Sequence, residues 1–241
     1  MLFPIETKSF SSMHPELRAQ CDTILASAVA SDQPVYIQML ANVGSGKTTF
    51  TDRLSDLWPN PKPTLLGFDR IMNSLPSYQL AVQEDEQEAF EAWEAPAREA
   101  GYITLNRLLD RRTNIIFDHS GAQEDHINLI RRAKRIGYRT VVVHIACNQD
   151  IASQRILDRL QNGETRYTPS HYLIERGKII ENLLPQYQQN CDSFYSVENN
   201  FGTKEEFIRA IQKLCLDILV ASIVQRKSKS EIRPPATKNQ L

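Results

Sequence analysis

Short apolar runs alternate along this chain with longer stretches of helical spacing. Val35-Tyr36-Ile37-Gln38-Met39-Leu40 is rich in β-branched and apolar residues and follows Pro34, so it reads as a buried strand. Thr64 to Asp69, Asn114 to Asp118, Thr140 to Ala146 and Phe194 to Val197 read as four more strands. Between them, His14 to Ala30 places Leu17, Cys21, Ile24, Leu25 and Ala28 on one face of a helix. Thr49 to Leu57 reads as a helix stopped by Trp58-Pro59, and Pro76 to Arg112 as mostly helix with an acidic start. Glu124 to Ile136 reads as a helix closed by Gly137. Asp150 to Leu160, Ser170 to Leu184 and Lys204 to Val224 complete the set, with Gln161 to Pro169 as a polar loop. The alternation predicts an α/β fold: a doubly wound parallel sheet of about five strands with helices on both faces. One domain is expected over residues 1–224, beginning with a helical arm, followed by a basic, proline-containing tail at 225–241 that is expected to lack fixed structure.

Composition narrows the class. Hydrophobic residues make up 41% of the 241 and charged residues 24%, enough for a sizeable core. A formal net charge of -1 argues against coating nucleic acid by bulk charge, though a local basic groove at Arg131-Arg132-Ala133-Lys134-Arg135 stays open. Cys21, Cys147, Cys191 and Cys215 have no paired spacing, so neither a disulfide frame nor a zinc site is expected. No apolar run is long enough to span a membrane, and no signal peptide is read at the N-terminus. A cytoplasmic setting is expected.

The chemistry centres on Ala41-Asn42-Val43-Gly44-Ser45-Gly46-Lys47-Thr48. It matches Gly-x-x-x-x-Gly-Lys-Ser/Thr except at the first position. It follows a strand and opens a helix, as phosphate binding requires: backbone N–H groups and the positive helix end cradle a β-phosphate. Gly44, Ser45, Gly46, Lys47, Thr48 and Thr49 are the expected ATP-binding residues, with Lys47 on the β- and γ-phosphates and the Thr48 hydroxyl on Mg²⁺. Ala41 in place of glycine is harmless if it keeps negative φ. Ligands of such sheets bind at the carboxyl ends of strands. Two more polar clusters are expected there, Asp69-Arg70 and Asp118-His119-Ser120-Gly121. Asp69 can accept a proton from an attacking hydroxyl, or simply cap the helix that follows. Asp118 sits where an acid would orient Mg²⁺ or its water. Arg70, His119 and Ser120 are candidate substrate contacts. Arg159, and Arg166 beyond the Asn162-Gly163 break, suit a lid that closes on triphosphate. Arg155, one turn before Arg159, reads better as a solvated helix face.

With these residues placed, the stretch from about Val35 to Asn199 resembles the zeta-toxin family of P-loop kinases. The resemblance rests on the phosphate loop, Gly67-Phe68-Asp69-Arg70, Ile116-Phe117-Asp118-His119-Ser120-Gly121, and the arginines before and within Thr165-Arg166-Tyr167-Thr168-Pro169. It implies an ATP- and Mg²⁺-dependent phosphotransferase acting on a hydroxyl of a UDP-N-acetylglucosamine-type sugar, with an inhibitory protein partner. It also implies that Asp69 is the base, Lys47 the phosphate lysine, Arg159 and Arg166 the lid arginines, and Ser120 a substrate contact. The sequence departs from the family at Asp118, where glutamate is common, and at His119, which replaces glycine. Two other readings stay open: a P-loop kinase acting on a polynucleotide end or another metabolite, and a nucleotide-gated protein-binding module.

Overall fold

The computed structural model describes residues 13–161, 167–169 and 171–230. In chain order the elements are α1 Pro15–Ser27, β1 Val35–Ala41, α2 Lys47–Leu57, β2 Thr64–Leu66, α3 Phe68–Asn73, α4 Pro76–Glu84 and α5 Glu86–Asp110. They continue with β3 Ile115–Phe117, α6 Asp125–Arg135, β4 Arg139–Ala146, α7 Gln149–Gln161, α8 His171–Asn190, β5 Ser193–Glu198 and α9 Lys204–Ser230.

The five strands form one sheet in the order β2-β3-β1-β4-β5, and every pairing is parallel. β1 is buried along its whole length because both faces are covered. Its residues alternate between two cores. Tyr36 and Leu40 join Phe117, Val142 and residues of α1, α3, α5, α6 and α8 on one side. Val35, Ile37, Met39 and Ala41 join Phe50 and Leu54 of α2 and Phe207, Ile211 and Cys215 of α9 on the other. The expected doubly wound α/β sheet is therefore present. The chain leaves β1 toward β2 and β3 on one side and toward β4 and β5 on the other, so a crevice opens at the carboxyl end of β1.

Several boundaries differ from those read in the sequence. β2 stops at Leu66, and Gly67 caps a separate short helix; Phe68 and Asp69 are that helix's first residues and not the end of a strand. The long helix after Pro76 is divided at Asp85, whose side chain accepts the Glu88 backbone N–H and starts α5. α8 runs through Pro185 to Asn190. Proline removes one backbone hydrogen bond, but Leu183 and Tyr187 lie on the buried face of the same helix, and burial of Tyr187 holds the final turns in register. α9 runs to Ser230, past the expected end at Val224, because no proline or glycine interrupts the polar stretch after it. Arg166 and most of the expected tail lie outside the described residues. The four cysteines are free. Among the described residues no helix is long and apolar enough to cross a membrane.

Candidate active site

The loop between β1 and α2 closes over the carboxyl end of the sheet. Gly44 and Gly46 both have positive φ, 73° and 90°. A Cβ on Gly44 would come within 2.6 Å of the Ala152 carbonyl oxygen, and one on Gly46 within 2.4 Å of Asn199 Nδ2, so both positions require glycine. Ala41 is not among the positive-φ residues, so the lost first glycine costs the loop nothing. α2 begins at Lys47, and its cap residue Gly46 has no side chain to occupy the exposed N–H groups. Those groups and the helix's positive end suit an anion. The Ser45 hydroxyl turns back to donate to the Asn42 carbonyl at 2.8 Å, so it braces the loop and does not line the pocket.

Lys47 reaches across to β3. Its Nζ lies 2.6 Å from Asp118 Oδ1, and both side chains are largely buried. Asp118 Oδ2 accepts from Arg70 Nε at 3.1 Å and from Thr51 Oγ1 at 3.3 Å. Arg70 also holds Asp52 at 2.6 Å. Burial alone would push the Asp118 carboxyl up, but the adjoining Lys47 and Arg70 cations outweigh it and hold the group below the usual carboxylate range. Asp118 is thus an ionised tether and a poor proton acceptor. Arg70 is engaged away from the pocket.

One cavity collects most of the remaining candidates. Gly44, Gly46, Lys47, Thr48, Thr49, Asp69, Asp118, His119, Ser120 and Arg159 all line it. Asp69 enters from the first turn of α3. Its neighbour Phe68 anchors that turn by packing edge-on against Tyr102 at 4.7 Å and Phe117 at 5.5 Å. Phe68 can sit this low because Gly101 of α5 faces it: a Cβ there would meet the ring at 2.3 Å. The far wall was not anticipated. Phe90 and Glu94, one turn apart on α5, face the cavity with Tyr172 and Arg176, one turn apart on α8. The Arg176 guanidinium carbon sits 3.7 Å from the Tyr172 ring centroid, Glu94 pairs with Arg98, and Phe90 meets Tyr167 edge-on at 5.5 Å. The i, i+4 spacing of both pairs was visible in the sequence, but nothing there says that α5 and α8 face each other.

His119 is stacked on Phe117 at 5.5 Å and stands 4.6 Å from His126. Its Nδ1 accepts the Gly121 N–H at 3.3 Å, so the ring proton is on Nε2. Burial, with His126, Arg176 and Lys47 nearby, pushes its pKa well below the ordinary histidine value and keeps it neutral. His126 is completely buried, bonded through Nε2 to the Tyr102 hydroxyl at 2.8 Å, and burial pushes its pKa down to about 3. This has a measurable consequence. Unfolded histidine takes up a proton below about pH 6.5, whereas folded His126 does not until far lower, so the unfolded state binds more protons in that window. Stability therefore falls as pH drops below about 6.5, by up to about 1.4 kcal/mol per pH unit for this residue, and His119 adds to the same slope. Urea melts between pH 7 and 5 are expected to show the decline, and His126→Asn to flatten it. An unchanged slope in that variant would count against a neutral buried His126.

Among the described residues no group of three or more His, Cys, Asp or Glu side chains is arranged to hold a metal. The oxygen donors Thr48 and Asp118 do line the cavity, and an alcohol plus a carboxylate is the hard donor set that Mg²⁺ accepts beside phosphate oxygens and waters.

A glycine loop, lysine and helix N-terminus at the switch point of a parallel sheet, facing a polar pocket, define a P-loop nucleotide-dependent kinase. The family model described as Zeta toxin matches residues 18–230, and the chain belongs to that family. In structure it is similar to a chain of the PezAT chromosomal toxin–antitoxin system of Streptococcus pneumoniae, with a TM-score of 0.58 at 14% identity, covering 85% of this chain and 96% of that one. It is also similar to shikimate kinase from Acinetobacter baumannii in complex with shikimate, with a TM-score of 0.46 at 19% identity over 77% of this chain and 94% of that one. Deoxyadenosine kinase from M. mycoides with bound dCTP gives 0.43 at 17% identity, over 75% and 98%. Comparison with curated protein sequences finds no match.

Proposed function

We propose that this zeta-toxin-family kinase transfers the γ-phosphoryl group of ATP to a hydroxyl of a small acceptor, and that the acceptor is a nucleotide sugar of the UDP-N-acetylglucosamine type. The observation that carries the reading is the shared cavity: Lys47, Asp69 and Arg159 face one space whose far wall is built from Phe90, Glu94, Tyr172 and Arg176. In this reading Lys47 leaves Asp118 for the β- and γ-phosphates, and Asp69 takes the proton of the attacking hydroxyl. Asp118 is unsuited to that step because Arg70 still pairs with it once Lys47 has left, and the same carboxylate would hold Mg²⁺. Mg²⁺, held by Thr48 and Asp118, would neutralise charge on the phosphate oxygens. The aromatic and charged wall suits a polar ring-bearing acceptor. The basic stretch of α6 offers little to a nucleic acid: Arg131 is bonded to Asn190 and Asn128, Arg132 to Asn106 and Asp110, and Lys134 to Asp192. One kinase domain with a basic tail, a cytoplasmic setting and an inhibitory antitoxin-type partner belong to the same proposal.

The test is an acceptor screen with γ-labelled ATP over nucleotide sugars, nucleosides and oligonucleotides. Label on a nucleotide sugar supports the reading. Label only on oligonucleotide ends overturns the acceptor class, and ATP binding without transfer to any acceptor points to a binding module. With the acceptor in hand, Arg159→Ala is expected to lower kcat by roughly 100-fold while changing ATP affinity little, since charge on the moving phosphoryl group peaks in the transition state. Arg159→Lys should restore only part of the rate, because an ammonium lacks the planar fork. A normal kcat for Arg159→Ala would remove this residue from the lid.

A further inference from the structure

Arg155 does not lie on a solvated face. It stands mid-way along α7, half-buried, and its guanidinium joins two loops that carry no regular structure of their own. Nη1 donates to the Gly44 carbonyl of the phosphate loop at 3.2 Å and contacts Cys147 Sγ at 3.5 Å. Nη2 donates to Asn199 Oδ1 at 3.1 Å and to the Phe201 carbonyl at 2.7 Å, both between β5 and α9. Asn199 completes the circuit. It is almost fully buried, its backbone N–H is anchored to the Ala146 carbonyl at 2.8 Å, and its Nδ2 donates to the Ser45 carbonyl at 2.8 Å. Because Arg155 can only donate, the Asn199 amide has one orientation: Oδ1 toward the guanidinium, Nδ2 toward the loop.

The carbonyls at stake are those of Gly44 and Ser45. In a trans peptide the C=O and the following N–H point in opposite directions. Holding the Ser45 carbonyl against Asn199 therefore turns the Gly46 N–H the other way, away from the β5–α9 loop. Holding the Gly44 carbonyl against Arg155 fixes the peptide before it, whose Ser45 N–H closes on the Asn42 carbonyl at 3.4 Å. Both glycines are in the left-handed region, where the backbone has no side chain to restrain it. We infer that Arg155, acting through Asn199, is the positioning residue that presets the phosphate loop's N–H cradle. The inference rests on the nucleotide-site reading above and adds to it a fixed outer clasp. A preset cradle grips nucleotide in the ground state and the transition state alike, so its loss weakens binding without slowing chemistry at saturation. Lid arginines are expected to behave in the opposite way.

The experiment is titration of the full chain with a fluorescent non-hydrolysable ATP analogue, alongside kcat at saturating ATP. Arg155→Ala is expected to raise the analogue Kd by about 10- to 30-fold, the scale of lost hydrogen bonds to a charged donor, with kcat within about threefold of the parent. Arg155→Lys should fall between, since an ammonium cannot span Gly44, Asn199 and Phe201 at once. Asn199→Ala should show the same split. The Arg155→Ala, Asn199→Ala double variant should be scarcely weaker than the weaker single one, because the two act as one unit. A folded Arg155→Ala that binds within twofold of the parent, or singles whose losses multiply in the double, overturns the inference. If circular dichroism shows that Arg155→Ala does not fold, Arg155→Lys and Asn199→Ala decide: parent-like Kd in both overturns it. Lys47→Ala separates the two levels. If that variant binds the analogue normally, the nucleotide site itself is wrong; if it loses binding while Arg155 variants keep theirs, only the clasp falls.

Discussion

Asp69→Asn is expected to reduce phosphoryl transfer by about two orders of magnitude or more, the usual scale for removing a general base, while ATP still binds. The substitution preserves the size of the side chain and one acceptor oxygen, and Phe68 still anchors the turn of α3 against Tyr102 and Phe117. What is lost is the carboxylate's charge and with it the capacity to take a proton. Asp118 is not expected to replace it, because Arg70 stays paired with that carboxylate after Lys47 turns to the phosphates. The measurement is steady-state transfer to the identified acceptor, paired with nucleotide titration. Unchanged transfer would reduce Asp69 to a helix-start residue. A loss matched by weaker ATP binding would mean that the change had disturbed the loop instead.

Lys47→Ala is expected to weaken ATP binding on the order of 100-fold and to abolish turnover at ordinary ATP concentrations, because one charge-assisted contact to the β- and γ-phosphates disappears. The fold should persist. Lys47 faces the cavity, and Asp118 would keep Arg70 and Thr51 as partners after the lysine is gone. Calorimetric titration with ATP, checked by circular dichroism, reads both halves of the expectation. Equal affinity in parent and variant would end the P-loop reading.

The strands and the phosphate loop were legible because each is a local signal. β1 is an apolar run interrupted by Gln38 alone, and the glycines at 44 and 46 sit at fixed offsets from Lys47. Asp69 was found for the right neighbourhood but placed on the wrong element. The apolar run Leu65-Leu66-Gly67-Phe68 looks continuous, yet Gly67 ends the strand and Phe68 turns under the sheet into a helix. The helix expected to end at Leu184 runs on through Pro185 to Asn190, because burial of Tyr187 outweighs the proline's missing N–H. Arg155 looked solvated because its partners, Gly44, Asn199 and Phe201, are at least 44 residues away in the chain and two of its three carbonyl-type acceptors belong to backbone. The pocket wall from α5 and α8 was invisible for the same reason. Spacing reveals what shares a face of one helix, but only tertiary packing reveals which faces meet.

The outer side of the phosphate loop is finished by the end of β5 and by α9. A Cβ on Gly46 would meet Asn199 after β5 and the Phe207 ring of α9, and α9 also packs on α2, where Gln212 holds Arg53 at 2.9 Å. The loop itself is made well before either of them. A ribosome extends this chain by about 5–20 residues per second, so the interval between making Lys47 and making Phe207 spans several seconds to half a minute. Throughout it Lys47 exists on a helix whose backing has not been synthesised. The outer clasp of the phosphate loop, Asn199 and Phe207, can therefore close only once both have been made, long after Lys47 itself.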